Sequence, residues 1–314
     1  MTETVTRRRF LTISAAAGLC SATATAAAAA APTAHWTGRA LGAQTSMQLA
    51  GLTETEARSI FRAVERELAR LERVFSLYRT DSQLVQLNRT GVLRAPAPEM
   101  LELLSLCDRL YRATGGAFDP SLQPLWMLYA RAATRGSAPT PQERQEARDL
   151  VGWRDLRVAT DEVRFARPGM ALTLNGVAQG YVTDRVAALL TQRGLRDVLI
   201  DMGEIAALGR RADGDAWTAG VALPDGQLVQ RVVLKDRALA TSAPEGTLLD
   251  EQRGVGHILD PRGQGRTPRH RLVSVSSSSA AVADGLSTAG CLLDLPDLAH
   301  AIGTFPDTTL ETVI

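Results

Sequence analysis

The stretch from Leu172 to Asp184 constrains the fold most, because it predicts a continuous strand, turn and helix in the middle of the chain. We expect an apolar strand over residues 172–174, a turn at Asn175-Gly176, and then a helix that ends at Gly194. A helix that begins directly after a glycine turn presents free backbone N–H groups and a positive dipole end, which together suit a phosphate group. The same pattern is typical of a plain tight connection, so other motifs must decide whether a ligand binds there.

Composition limits the class of protein. The chain has 314 residues, of which 45% are hydrophobic and 22% are charged, and its net charge is +1. These values are typical of a globular protein with one large or two modest domains. The nearly balanced charge argues against a general nucleic-acid-binding surface, and no segment after residue 35 resembles a membrane span.

Residues 1–34 are predicted to be a twin-arginine signal peptide. Arg7, Arg8 and Arg9 precede a run of small and apolar residues that extends from Ile13 to Ala31. The alternatives are a basic N-terminus that arose by chance and a short membrane anchor. Export by this route would deliver the mature protein, residues 35–314, to the periplasm.

Helices and strands are mixed along the mature chain, which predicts the α+β class. Thr53 and Glu56 form a capping box before a long amphipathic helix, and residues 98–114 predict a second helix. Strands are expected at residues 198–201, 217–222, 229–234 and 238–241, and a hairpin is expected around residues 160–162. No linker composition interrupts residues 35–314, so we expect a single domain with mostly antiparallel sheets and flanking helices.

Asp284 and Thr288 form the sharpest local motif. The serines at 276–279 suit a loop and a helix cap, and a helix from about Ala280 places Asp284 and Thr288 one turn apart on the same face. A carboxylate and a hydroxyl at that spacing offer the hard oxygen ligands that Mg²⁺ prefers. The alternative is an exposed aspartate next to a threonine that bonds to its own helix.

His257 lies in the segment from Gly256 to Gly263 and is expected in a short strand before an Asp-Pro turn. An imidazole there could act as a general base or acid, or could orient a phosphate. A structural histidine is the alternative. Cys107 and Cys291 are expected on helices as small buried side chains, and a disulfide is not indicated.

Taken in order, these motifs resemble the ApbE family of FAD:protein FMN transferases over nearly all of residues 38–303. The matching segments are Leu41-Gly42, Phe75 to Ser82 with Asn88, Gly115 to Pro120, Gly176 to Tyr181 with Asp184, Met202-Gly203, Ala240-Thr241-Ser242, His257 to Pro261, and Ala283-Asp284 with Thr288. The ordered set carries the resemblance, since no single segment is decisive.

The resemblance implies transfer of FMN from FAD to a Ser or Thr hydroxyl of a target protein, with a phosphoester product and release of AMP. It implies that Asp284 and Thr288 hold Mg²⁺ together with a backbone carbonyl near Gly176, and that His257 takes the proton of the incoming hydroxyl. The residues implied to bind FAD are Leu41, Tyr78, Ala117, Phe118, Asp119, Thr173, Gln179, His257 and Ile258.

Several positions depart from the usual family pattern. Thr173 stands where an aspartate is common, Gln179 where a lysine is common, and Glu204 and Ala243 where glycines are common. The central motif with Gln179 resembles the NosX branch, which implies that the acceptor is the membrane flavoprotein NosR. Two other functions remain open: an FAD pyrophosphatase that forms FMN and AMP, and a periplasmic FAD-binding assembly protein without catalytic activity.

Overall fold

The computed structural model describes residues 31–263 and 267–314. The predicted signal peptide therefore lies almost entirely outside the described residues, and the first strand begins at Thr33, two residues before the predicted start of the mature domain. The helices are α1 Glu54–Phe75, α2 Gln83–Thr90, α3 Pro98–Ala113, α4 Gln123–Thr134, α5 Pro141–Asp149, α6 Ala178–Gln192, α7 Ala280–Gly290 and α8 Leu295–Gly303. No helix of the described ranges is long and apolar enough to cross a membrane.

The strands are β1 Thr33–Ala40, β2 Ala43–Ala50, β3 Val92–Arg94, β4 Leu156–Val158, β5 Glu162–Phe165, β6 Val198–Asp201, β7 Ile205–Leu208, β8 Trp217–Ala222, β9 Leu228–Leu234, β10 Arg237–Ser242, β11 Leu248–Asp250, β12 Val255–Gly256, β13 Val273–Ser277 and β14 Thr309–Val313. Seven of them form one sheet in the order β1-β2-β6-β7-β10-β13-β14. Every neighbouring pair in that sheet is antiparallel, which confirms the predicted α+β class.

The large sheet is covered on both faces. Strand β6 illustrates why: Val198 and Ile200 belong to the core under the helices, whereas Leu199 between them belongs to a second core under the β8–β9 hairpin. Alternate residues of a strand point to opposite faces, so a short apolar strand serves both cores. Helices α6 and α7 lie on the helical face and contact strands of the sheet as well as each other.

A glycine allows α6 and α7 to approach closely. A Cβ atom at Gly180 would lie 2.4 Å from the backbone oxygen of Ala280 and 2.6 Å from the Cα atom of Ala281. Backbone atoms cannot rotate aside as a side chain can, so only glycine fits at this crossing. The close approach brings the beginning of α6, which follows the central turn, against the helix that carries Asp284.

Two expectations about local structure are wrong. Residues 172–174 form no strand, and a single bridge joins the preceding residue, Ala171, to Leu122. Ser276 and Ser277 belong to strand β13 rather than to a loop, and only Ser279 has the predicted role of helix cap. Serines are compatible with β13 because their hydroxyls form hydrogen bonds with side chains of neighbouring strands. The hydroxyl of Ser274, for example, lies 2.9 Å from that of Thr241 in β10.

Candidate functional site

The central turn and the late helix meet directly. A Cβ atom at Gly176 would lie 3.0 Å from Oγ1 of Thr288, and the backbone N–H of Gly180 donates to Oδ2 of Asp284 over 3.1 Å. Asp284 is 4% exposed. The three residues predicted as metal ligands, Gly176, Asp284 and Thr288, therefore lie together, although Gly176 is more than 100 residues from the other two in sequence.

Asp184 fixes the position of α7. One carboxylate oxygen, Oδ2, accepts from Oγ of Ser279 over 2.7 Å and from the N–H of Ala281 over 3.1 Å, and Oδ1 accepts from the N–H of Ala280 over 2.7 Å. These donors lie at the positive end of α7, where a carboxylate is favourable. Burial nevertheless raises the pKa of Asp184, against the lowering effect of those hydrogen bonds. Sequence reasoning gave Asp184 no role beyond the family match.

The segment before the turn is held by a side chain. Nδ2 of Asn88 donates to the carbonyl of Leu172 over 2.8 Å, and Oδ1 of Asn88 accepts from the N–H of Leu172 over 2.7 Å. The N–H of Thr173 donates to the carbonyl of Pro120 over 2.8 Å. These contacts occupy backbone groups of Leu172 and Thr173 that a neighbouring strand would use, which explains why this segment joins no sheet.

A cavity of about 1440 Å³ opens at this junction. It is lined by every residue that the sequence assigned to the site: Leu41, Tyr78, Ala117, Phe118, Asp119, Thr173, Gly176, Gln179, His257, Ile258, Asp284 and Thr288. The volume exceeds the range of ordinary small-molecule pockets, so the cavity has room for a ligand of dinucleotide size. The predicted residues thus share a single concave surface.

Leu41 and Tyr78 form one wall of the cavity. Leu41 has a backbone φ of 49°, and its N–H donates to Oε1 of Glu72 over 3.1 Å. The turn continues through Gly42, at which a Cβ atom would lie 3.5 Å from the ring of Tyr78. Tyr78 is 55% exposed and lines the cavity, and an aromatic side chain is suited to stack on a flat ligand.

Asp119 lies in the turn after α3. Its Oδ1 accepts from the N–H of Ser121 over 2.8 Å and from its hydroxyl over 2.6 Å. Burial raises the pKa of Asp119, while these two bonds act in the opposite direction. The carboxyl group is thereby held in one orientation at the cavity wall.

His257 follows strand β12 rather than lying within it. Its Nδ1 atom is 3.2 Å from the carbonyl oxygen of Pro244 and 3.1 Å from that of Thr247. Both partners are acceptors, so Nδ1 carries the proton and Nε2 has the free lone pair. Burial lowers the pKa of His257, which keeps the ring neutral near pH 7 and able to accept a proton at Nε2.

The interior of the cavity is acidic. Burial raises the pKa of Asp284 to about 7, with a smaller contribution from the charge of Asp184. Burial also raises the pKa of Glu204, and repulsion from Asp284 and Asp201 raises it further. Arg39 is the one arginine or lysine among the described residues lining the cavity, and it is exposed. A bound anion such as a pyrophosphate would therefore need positive charge from elsewhere.

The donor atoms at the junction suit a hard divalent cation. Asp284 supplies a carboxylate and Thr288 a hydroxyl, and the turn at Gly176 supplies backbone carbonyls. Among residues 31–263 and 267–314, no group of three or more His, Cys, Asp or Glu side chains is arranged to hold a metal. Oxygen donors with few protein ligands match Mg²⁺, which keeps several waters or substrate oxygens.

The cysteines agree with the prediction in part. Cys107 lies on α3 and Cys291 directly follows the last residue of α7, and both are buried free thiols. Burial raises the pKa of the Cys291 thiol to about 12, so it is not a thiolate near neutral pH. Neither cysteine lines the cavity.

Comparison with known proteins shows which family and which structures this chain resembles. The ApbE family model matches residues 41–309. A Treponema pallidum protein named FAD:protein FMN transferase is 31% identical over 267 residues, which cover 76% of this chain and 72% of that protein. A Klebsiella pneumoniae (strain 342) protein of the same name is 26% identical over 299 residues, covering 90% of this chain and 85% of that protein. The apo structure of Pseudomonas stutzeri flavinyl transferase ApbE superposes with a TM-score of 0.74 at 27% identity, covering 87% of this chain and 88% of that one.

Proposed function

Because the chain belongs to the ApbE family, we propose that it transfers FMN from FAD to a Ser or Thr hydroxyl of a target protein and releases AMP. The names of the relatives support this activity. One structural observation carries the proposal. The turn at Gly176 and the start of α6 contact Thr288 and Asp284 of α7, and these residues line one cavity together with the aromatic side chain of Tyr78.

FAD would lie along the cavity. The flavin would contact Tyr78 and Leu41 at one wall, with the segment from Ala117 to Asp119 beside it. The pyrophosphate would lie against the turn at Gly176, at the positive dipole end of α6. The N–H groups of Ala178 and Gly180 already donate to Leu174 and Asp284, so the predicted set of free N–H groups is largely occupied. Thr173, Gln179 and Ile258 line the same cavity and would contact the nucleotide.

Asp284 and Thr288 would hold Mg²⁺ with a backbone carbonyl near Gly176. When bound, the cation neutralises the pyrophosphate and stabilises the charge that develops on departing AMP. Gly180 holds the carboxylate of Asp284 through its N–H, and Asp184 holds the helix that carries both ligands. These residues position the phosphates, and positioning is most of the catalytic work in phosphoryl transfer.

His257 would accept the proton of the acceptor hydroxyl at Nε2. The hydroxyl oxygen forms a bond to the phosphorus of the FMN half, and the bond from that phosphorus to the AMP oxygen breaks. The carbonyls of Pro244 and Thr247 keep the proton on Nδ1 and so leave Nε2 free for this task.

The transfer is tested by incubating the purified protein with FAD, Mg²⁺ and a peptide that carries a candidate acceptor threonine. A flavin-labelled peptide supports transfer, free FMN indicates hydrolysis, and unchanged FAD that remains bound indicates a binding protein. Asp284→Ala should abolish Mg²⁺-dependent turnover while the circular dichroism spectrum stays unchanged. Asp161→Ala, an exposed carboxylate between β4 and β5, serves as the control and should keep full activity.

We also propose that the protein works in the periplasm after twin-arginine export and belongs to a NosX-like branch that modifies NosR. The arginine motif at Arg7–Arg9 and the form of the central motif with Gln179 support these assignments. Fractionation of cells that produce the full chain tests the location. Labelling of a NosR-derived peptide, compared with the same peptide carrying alanine for the acceptor threonine, tests the partner.

A further inference from the structure

Glu204 is a buried acidic residue at the floor of the cavity. It ends the short turn between β6 and β7, and it is 9% exposed. Two hydrogen bonds hold the turn: the N–H of Gly203 donates to Oδ1 of Asp201 over 3.1 Å, and the N–H of Met202 donates to the carbonyl of Glu204 over 3.1 Å. Glu204 lines the same cavity as Asp284 and Thr288. The proposed transfer mechanism gives it no role.

The first turns of α6 connect Glu204 to the proposed cation site. A Cβ atom at Gly203 would lie 2.5 Å from Nε2 of Gln179, and Oγ1 of Thr183 donates to the carbonyl of Glu204 over 3.4 Å. The N–H of Gly180, between those residues, donates to Asp284. Glu204 and Asp284 therefore both lie against the first two turns of α6 and line the same cavity.

Neither carboxylate has a cationic partner. Within the described part of the chain, no arginine, lysine or histidine forms an ion pair with Glu204 or Asp284. Glu204 has a backbone N–H of Thr241 as its hydrogen-bond donor, and Gln179 beside it is neutral. Buried charges are normally paired or coordinate a metal, because leaving them unpaired costs several kcal/mol.

We propose that Glu204 is a further protein ligand of the divalent cation, so that two carboxylates hold it rather than one. This inference rests on the proposed cation site at Asp284 and Thr288. Two carboxylates match the charge of a divalent ion, and cation affinity in oxygen sites rises with the number of charged ligands. The cation is of the Mg²⁺ or Mn²⁺ class, since all the donors are oxygens.

Mn²⁺ binding to the FAD-free protein tests the assignment without reference to activity. Titration followed by electron paramagnetic resonance and calorimetry should show that Glu204→Gln weakens Mn²⁺ affinity by about 10- to 100-fold. Asp119→Asn is the matched control, since it removes the same charge from another wall of the cavity. It should change the affinity by less than about fivefold, because a charge that does not coordinate the cation acts only through the field.

Thermal unfolding gives an independent readout. Without a cation, Glu204→Gln should unfold at the wild-type temperature or above it, because the repulsion with Asp284 is gone. The rise in melting temperature that Mn²⁺ produces in the wild type should shrink in that variant. If Glu204→Gln does not fold, Glu204→Asp, which withdraws the carboxylate by one methylene, should weaken Mn²⁺ binding in the same direction.

The outcomes separate the two claims. If Asp284→Ala abolishes Mn²⁺ binding while Glu204→Gln binds as the wild type does, Glu204 is not a ligand and the proposed transferase site stands. Equal losses in Glu204→Gln and Asp119→Asn would mean a general field effect and would also overturn the assignment. Absence of Mn²⁺ binding in the wild type would overturn the cation site itself.

Discussion

Replacing Gly180 with alanine should disturb both the fold and the site, because this residue lies where α6 and α7 cross. The added Cβ atom would be 2.4 Å from the backbone oxygen of Ala280. A carbon and a carbonyl oxygen in contact are normally about 3.3 Å apart, so α7 would have to move by roughly 0.9 Å. That movement would also lengthen the hydrogen bond from the N–H of Gly180 to Asp284, which is 3.1 Å long in the wild type.

The size of the effect follows from three contributions. Overpacking costs about 1–3 kcal/mol, and a weakened bond to a buried carboxylate costs about 1–3 kcal/mol. Alanine regains about 1 kcal/mol over glycine as a helix former. The free energy of unfolding should therefore fall by about 3 kcal/mol, within a range of about 1–5 kcal/mol.

Urea unfolding followed by circular dichroism measures this change. Gly303→Ala is the control, because Gly303 ends α8 and no heavy atom lies within 4 Å of its added Cβ. That substitution should stabilise the protein by about 0.5–1 kcal/mol. A Gly180→Ala protein as stable as the wild type, or stabilised like the control, would refute the reasoning. Mn²⁺ affinity should also fall in Gly180→Ala, since α7 carries Asp284 and Thr288.

Two further predictions concern the supports of the site. Asn88→Ala leaves the N–H and carbonyl of Leu172 without their partners, so the free energy of unfolding should fall by about 2–4 kcal/mol. Asn175 is exposed, and Asn175→Ala should stay within about 0.5 kcal/mol of the wild type. Equal free energies of unfolding for the two variants in urea would contradict this prediction. Burial lowers the pKa of His257 in the folded protein, so below about pH 6.5 the unfolded chain binds a proton at this residue more readily than the folded protein does. The free energy of unfolding of the wild type should therefore fall more steeply than that of His257→Gln between about pH 7 and pH 5. Parallel pH profiles for these two proteins would show that His257 is not held neutral.

The residues that the sequence assigns to the site line one cavity, whereas some of the local structure around them differs from expectation. Asp284 and Thr288 could be placed on one helical face from their spacing alone, and the capping box at Thr53 is present as predicted. The strand predicted at residues 172–174 is absent, because an apolar run shows that a segment is buried but not which groups satisfy its backbone. Asn88, which lies 84 residues earlier, satisfies it here. Hydrophobic periodicity and secondary-structure propensity depend on residues close in sequence, so they cannot identify a hydrogen-bond partner 84 residues away.

Roles that depend on contact were missed for the same reason. Asp184 matched a family motif, but its function as the cap of α7 requires knowing that α6 lies beside Ser279. Glu204 was noted only as a departure from the family pattern. The turn after β6 buries Glu204 in the same cavity as Asp284, and a sequence pattern does not show that two residues so far apart in the chain share a cavity.

Three of the four departures from the family pattern, at Thr173, Gln179 and Glu204, change the charge of the cavity in a related way. Thr173 and Gln179 remove one negative and one positive charge relative to the usual pattern, and Glu204 then adds a negative charge in place of a glycine. The cavity is thus more negative than the family pattern implies, while its ligand carries a negative pyrophosphate. Without a lysine at position 179, no ammonium group can balance this excess at the turn. In the proposed site, the substitutions would act in one direction. They would leave to the cation the neutralising role that a side chain would otherwise share, and a second carboxylate would hold that cation more firmly.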